Sequence, residues 1–145
     1  MSIYVASSWR NIRQPEVVRR LREEGYEVYD YRTPVPGDNG FHWSEVDGGY
    51  KTWTAEAYRE ALRHPISERG FRYDMDALRK CDVCVLVLPC GRSAHIEAGW
   101  ACGAGKPVLI LLDESNEPEL MYKMAAALCL TIDEVVRHLG KRSFL

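Results

Sequence analysis

One carboxylate in this chain stands apart from the other acidic residues. Glu97 lies in Ser93-Ala94-His95-Ile96-Glu97-Ala98-Gly99-Trp100-Ala101, a stretch with no second acidic residue. A carboxylate set among apolar residues is desolvated unless it is paired, and such groups concentrate at functional sites. Two readings follow: a group that reacts with a ligand, or a structural ion pair with Arg92 or Lys106. The residues before it bear on the choice. The apolar run Asp82 to Leu88 ends in Pro89-Cys90-Gly91, and Ser93 is placed to start a helix whose unpaired N–H groups face the end of the strand. Glu97 then falls about one turn into that helix, where its carboxylate can reach a crevice. Arg92 and Ser93, at the helix start, are candidate anion contacts or simply a cap and a solvated charge. His95 stands two residues before Glu97 and so points to a different side of the helix.

Other residue types suggest less chemistry. The five cysteines, Cys81, Cys84, Cys90, Cys102 and Cys129, are odd in number, which fits reduced thiols better than a disulfide framework. Cys81 and Cys84 have CxxC spacing, but Cys84 sits in a run that buries it as strand, so neither a redox nor a zinc role is expected. The histidines, His42, His64, His95 and His138, are scattered without ligand spacing, and no metal or other cofactor is expected. A net charge of −2 gives no general attraction for nucleic acid or anionic membranes. The start, Met1 to Ala6, carries no basic region, and no apolar run reaches the roughly 20 residues of a membrane span; a cytoplasmic protein is the expectation.

These residues need a frame to position them. Ile3 to Ala6, Tyr26 to Tyr31, Asp82 to Leu88 and Pro107 to Leu112 read as strands. The last two are near-continuous Val/Ile/Leu runs, as in parallel strands covered on both faces. Helical spacing marks Pro15 to Leu21, ended by Gly25, then Ala55 to Arg63, about Ser67 to Lys80, Ser93 to Ala104 and Pro118 to Ala126. Leu128 to Leu130 is a possible short strand, and Ile132 to Leu139 a closing helix with Thr131 as its N-cap. The alternation predicts a single α/β domain over 1–145: a Rossmann-like (flavodoxin-like) open parallel sheet of about five strands with helices on both faces. Ligands of such sheets bind outside the carboxyl ends of the strands.

One segment does not belong to a minimal unit of that kind. The loop at 33–54 mixes Pro34, Pro36, Gly37, Gly40, Gly48 and Gly49 with Phe41, His42, Trp43, Tyr50 and Trp53. Loops this long are usually functional or disordered, and so much aromatic surface speaks against disorder. It reads as a lid or an interface with Trp43 as a substrate contact, or as an ordered cover over apolar core.

Taken together, Ile3-Tyr4-Val5-Ala6-Ser7, then Asp74-x-x-x-Leu78-x-x-x-Asp82 leading into an apolar strand, then Ser93-x-x-x-Glu97-x-Gly99 resemble the nucleoside 2-deoxyribosyltransferase and deoxynucleoside-monophosphate N-glycosidase superfamily. The likeness runs from the first strand to the strand after Lys106-Pro107. It implies cleavage of an N-glycosidic bond, by hydrolysis or transfer, with Glu97 as nucleophile at the sugar C1′. It implies that Asp74 contacts or helps protonate the departing base and that Tyr4 orients the nucleophile. Ser7, Ser8 and Arg10 fall where related monophosphate hydrolases hold a 5′-phosphate, a task that hydroxyls and a guanidinium suit. The resemblance further implies a nucleoside or nucleotide substrate, no cofactor, and a homodimer or larger assembly, in which the 33–54 loop is a candidate contact.

The sequence departs from the family where Gly91 replaces the aspartate that many transferases carry six residues before the nucleophile. The 33–54 loop has no counterpart there either, so base preference is not inherited. Two other readings compete: a TIR-like NAD glycohydrolase, weakened by the lack of GxGxxG after the first strand, and a non-catalytic nucleotide-binding or signalling module.

Overall fold

The computed structural model describes residues 1–114 and 117–141. In chain order the elements are β1 (Ser2–Ala6), α1 (Gln14–Glu23), β2 (Glu27–Asp30), α2 (Ala55–Ala61), α3 (Pro65–Lys80), β3 (Val83–Val87), α4 (Arg92–Gly103), β4 (Val108–Leu111), β5 (Ala127–Cys129) and α5 (Ile132–Lys141). They fall into two compact units, one made of Met1–Asp30 with Lys80–Leu145 and the other of Tyr31–Arg79.

The first unit holds a five-stranded, all-parallel sheet in the order β2-β1-β3-β4-β5. This is the expected α/β architecture, and alternation along the strands explains its two faces. Ile3, Val5, Val83, Val85, Val87, Leu109 and Leu111 point to one side, where they form one buried cluster with Val17, Val18 and Leu21 of α1 and Val135 and Leu139 of α5. Tyr4, Ala6, Cys84 and Leu86 alternate with them and point to the other side. There α4 packs on β1, β3 and β4 with Ala94, Ala98 and Ala101 buried. From β1 the chain crosses to β2 on one side, and β3 lies on the other, so the switch point is at the carboxyl ends of β1 and β3.

Local signals set the element ends. Gly25, at φ 90°, takes the left-handed turn that stops α1. Thr131 caps α5 as expected: its Oγ1 accepts from the Glu134 N–H at 3.2 Å, and the Glu134 carboxylate accepts from the Leu130 N–H at 2.7 Å. The helix expected over Pro118 to Ala126 is corrected to a single 3₁₀ turn, Leu120–Met124. The Ala126 N–H is bonded to the Val108 carbonyl at 2.8 Å, so the chain must already be extended there and too few residues remain for an α-helix. Among the described residues no helix is long and apolar enough to cross a membrane.

The second unit has no strand among its described residues. Its 33–54 segment is organised by 3₁₀ turns at Trp43–Glu45 and Tyr50–Thr52 and by its own rings. Trp43 is central, with ring centroids 4.7 Å from Phe41, 5.6 Å from Trp53 and 5.7 Å from Tyr58. Asp47 fixes the return of the loop, accepting from Trp53 Nε1 at 2.7 Å and from the Gly49 N–H at 2.9 Å. These bonds, that from Trp53 foremost, hold its carboxyl below the ordinary range. Gly70 lets Phe41 lie close against α3, since a Cβ there would stand 3.1 Å from the Phe41 Cβ and push the ring back by a few tenths of an ångström. Thr54 caps α2 through the Ala57 N–H.

Candidate active site

Parallel strands leave backbone carbonyls unpaired at their carboxyl ends, and this chain satisfies several of them from the turn after β1. Asn11 is the centre of that arrangement and is only 3% exposed. Its Nδ2 donates to the carbonyls of Val87 at 3.2 Å and Pro89 at 2.9 Å, while its Oδ1 accepts from the Arg13 and Gln14 N–H groups at 2.7 and 3.0 Å. The Arg13 guanidinium reaches further, donating through Nη1 to Leu88 and Leu112 at 3.1 Å each. Ser7 Oγ donates to the Val87 carbonyl at 2.8 Å, and Ser8 Oγ accepts from the Gly91 N–H at 2.7 Å. The ends of β1, β3 and β4 are thereby locked together.

The turn after β3 opens α4, whose N-cap, Gly91, contributes no side-chain cap; Arg92 and Ser93 are exposed beside it. Within α4 the stripe that faces the sheet is Ala94, Ala98 and Ala101, and Glu97 occupies the i+3 place of that stripe, half-buried. Its charge reaches two thiols beneath it. Burial first, then Glu97 and Asp113, push the Cys90 thiol up to about 12. Burial, then Cys81 and Glu97, push Cys84 up as well. Both sulfurs therefore stay as neutral S–H groups.

Tyr4 is fully buried on the same side of the sheet as α4, and its ring stacks on Tyr29 at 5.1 Å and 17°. His95 lies about 200° round the helix from Glu97. Its Nδ1 sits 2.8 Å from the Gly91 carbonyl, which only accepts, so Nδ1 carries a proton; Nε2 lies 2.8 Å from the Tyr122 hydroxyl, and the two rings stack at 5.8 Å. The imidazole clamps α4 to the segment after β4.

Of the residues singled out from sequence, Tyr4, Ser7, Ser8, Arg10, Arg92, Ser93 and Glu97 all belong to the first unit. The bond between Ser8 and Gly91 brings the two turns that carry Arg10 and Arg92 together. Ser7 and Ser8 spend hydroxyl capacity on that joint. Asp74, half-buried on α3, and Trp43 belong to the second unit. Sequence reasoning missed Asn11, Arg13 and Tyr122. An asparagine just before the Pro15 helix was a signal for side-chain bonding to nearby N–H groups; Tyr122 had none, because its segment reads as an ordinary helix.

No family model matches the chain, and no curated protein matches its sequence. Solved structures do match. The CMP N-glycosidase BcmB of Clostridium botulinum is 18% identical, with a TM-score of 0.56 over 97% of this chain and 99% of that one. A 2-deoxyribosyltransferase from the psychrotolerant bacterium Bacillus psychrosaccharolyticus is 19% identical, with a TM-score of 0.61 over 93% and 90%. A conserved protein from Enterococcus faecalis V583 is 13% identical, with a TM-score of 0.61 over 98% of both chains. The chain thus shares its fold with an N-glycosidase and with a deoxyribosyltransferase, the fold that the sequence resemblance implied.

Proposed function

We propose that this protein cleaves the N-glycosidic bond of a nucleoside or nucleoside 5′-monophosphate, by hydrolysis or by transfer to a second base. The observation that carries the reading is Glu97, a half-buried carboxylate on the sheet-facing stripe of α4, next to the switch point where ligands of such sheets bind.

In the first step a Glu97 oxygen forms a bond to C1′ while the C1′–N bond breaks and its electron pair leaves with the base nitrogen. The base takes up a proton, a step assigned to Asp74 directly or through a hydrogen-bonded group. In the second step water, or another base, attacks C1′ and gives up its proton to Asp74, while the bond between C1′ and the Glu97 oxygen breaks and releases the carboxylate. Tyr4 is assigned to orient the nucleophile. Arg10, exposed on the turn after β1, and Arg92 and Ser93, exposed at the start of α4, are assigned to a 5′-phosphate, with Ser7 and Ser8 shaping the turn beneath it. Trp43 is assigned as a base contact. Cys84 and Cys90 stay protonated and take no part as nucleophiles.

Chromatography of a panel of ribo- and deoxyribonucleosides, their 5′-monophosphates and NAD, with and without a second free base, tests the reading. Base release from a nucleoside or monophosphate is expected, and exchange products identify a transferase. Release from NAD alone, or from no member, overturns it.

A further inference from the structure

Strand register decides which side chains can hold Tyr4 in place. In a parallel sheet, residues level with one another on neighbouring strands put their side chains on the same face. Tyr4 is level with Tyr29 of β2 on one side and with Cys84 of β3 on the other, so the three form a row on the face that α4 covers. Along the row stand a half-buried tyrosine on the edge strand, a fully buried tyrosine and a small buried thiol.

The Tyr29 and Tyr4 rings have centroids 5.1 Å apart and planes 17° apart. That spacing is close to the roughly 4.8 Å between strands, so the two rings rise from the sheet side by side, as strand side chains do. A phenol hydroxyl lies on the axis about which its own ring spins, so spin leaves it in place. Only a tilt of the whole ring about the Cα–Cβ bond moves it. Contact with Tyr29 opposes a tilt toward β2, and the loss of stacking opposes a tilt toward β3, where Cys84 is too small to brace a ring. The Glu97 carboxylate lies within electrostatic reach of the same row, since it contributes, after burial and Cys81, to the upward push on the Cys84 thiol. Packing alone does not call for a hydroxyl at position 4: a phenylalanine would stack as well without the cost of burying one.

We infer that Tyr29 is a positioning residue of the proposed reaction, its ring holding the Tyr4 ring, and thereby the Tyr4 hydroxyl, in the attitude that orients the Glu97 carboxylate. The inference rests on the reading of Glu97 as nucleophile and Tyr4 as its orienting group. Tyr29 acts through its ring face; its own hydroxyl has no part in the effect.

Steady-state base release tests it, on the substrate identified in the panel, with Tyr29→Phe, Tyr29→Leu, Tyr4→Phe and the double variant Tyr4→Phe/Tyr29→Leu, each checked for a native circular-dichroism spectrum. Tyr29→Met takes the place of Tyr29→Leu if the latter does not fold. Tyr29→Leu is expected to lower kcat at least about tenfold with KM kept within about twofold, because misplacing a group that acts in the chemical step costs rate rather than binding. Tyr29→Phe keeps the ring and is expected to keep kcat within about twofold. In the Tyr4→Phe background, Tyr29→Leu is expected to cost no more than about a further twofold, since the hydroxyl it positions is already gone. A wild-type kcat in Tyr29→Leu overturns the inference, as does a loss that Tyr29→Phe shares in full, a loss confined to KM, or full additivity with Tyr4→Phe. Glu97→Gln, assayed in parallel, separates the two levels. Base release that is absent from the wild type or survives Glu97→Gln overturns the reading of the site and the inference with it; release that needs Glu97 but not the Tyr29 ring overturns the inference alone.

Discussion

The two units of this molecule hold themselves together by different means. In the first, polar side chains of the turn after β1 spend their hydrogen bonds on backbone carbonyls at the ends of β3 and β4, with Asn11 buried at the centre. In the second, Phe41, Trp43, Trp53 and Tyr58 pack on one another, and one carboxylate, Asp47, ties the loop through an indole N–H. Directed bonds fix atoms in place and lose much when one partner goes; ring packing tolerates adjustment. Nucleophilic attack needs a carboxylate held to a fraction of an ångström, and Glu97 is found in the unit built the first way.

The largest effect expected from this contrast is at Asn11. Asn11→Ala takes the Asn11 bonds from the Pro89 carbonyl and two N–H groups, leaves the Val87 carbonyl with Ser7, and should lower the unfolding free energy by about 3 kcal/mol, measured in urea. A cost below about 0.5 kcal/mol would mean that the turn is not held this way. Next is Trp43→Ala, which removes the ring shared by three neighbours and should cost about 2 kcal/mol locally. Hydrogen exchange should then show lost protection from residue 40 to 60 and unchanged protection in β1, β3 and β4; loss across the sheet would erase the distinction between the units.

A pH dependence sharpens the picture of the first unit. The Cys90 thiol is pushed up to about 12 in the fold, so between its ordinary value of 9.0 and that limit the unfolded chain has lost a proton that the native one keeps. Stability therefore falls as pH rises through this window, and Cys90→Ala should flatten the fall seen in urea titrations between pH 8 and 11, chosen to bracket roughly that range. The smallest effect concerns Asp47. Its carboxyl is lowered in the fold, so its contribution is present above the ordinary carboxylate range and is lost as pH drops through the lowered value. The wild type should show a change in indole fluorescence at low pH as the Asp47 carboxyl takes up its proton, and Asp47→Asn should abolish it; a change that persists in Asp47→Asn would place its origin elsewhere.

Much of the frame was readable in advance because burial writes itself into residue type. The Val/Ile/Leu runs gave β3 and β4, Gly25 gave the end of α1, and Thr131 the start of α5. The Pro118 to Ala126 helix was misread because amphipathic spacing says nothing about how soon the next strand must begin, which the Ala126 bond to Val108 decides. Within the site, Glu97 announced itself as a lone carboxylate on an apolar helix. Asn11 and Arg13 did not, since their partners are backbone carbonyls about 75 residues or more away, and a carbonyl has no letter in the sequence.

The central claim is that Glu97 forms the bond to the sugar, and Glu97→Gln tests it most directly. The variant keeps the size of the side chain and removes the carboxylate, so the account predicts a native spectrum, retained binding of the substrate identified in the base-release panel, turnover reduced on the order of 10³-fold or more, and loss of the sugar adduct that mass spectrometry finds on the Glu97 peptide of the wild-type protein. Base release at the wild-type rate from Glu97→Gln would contradict the account.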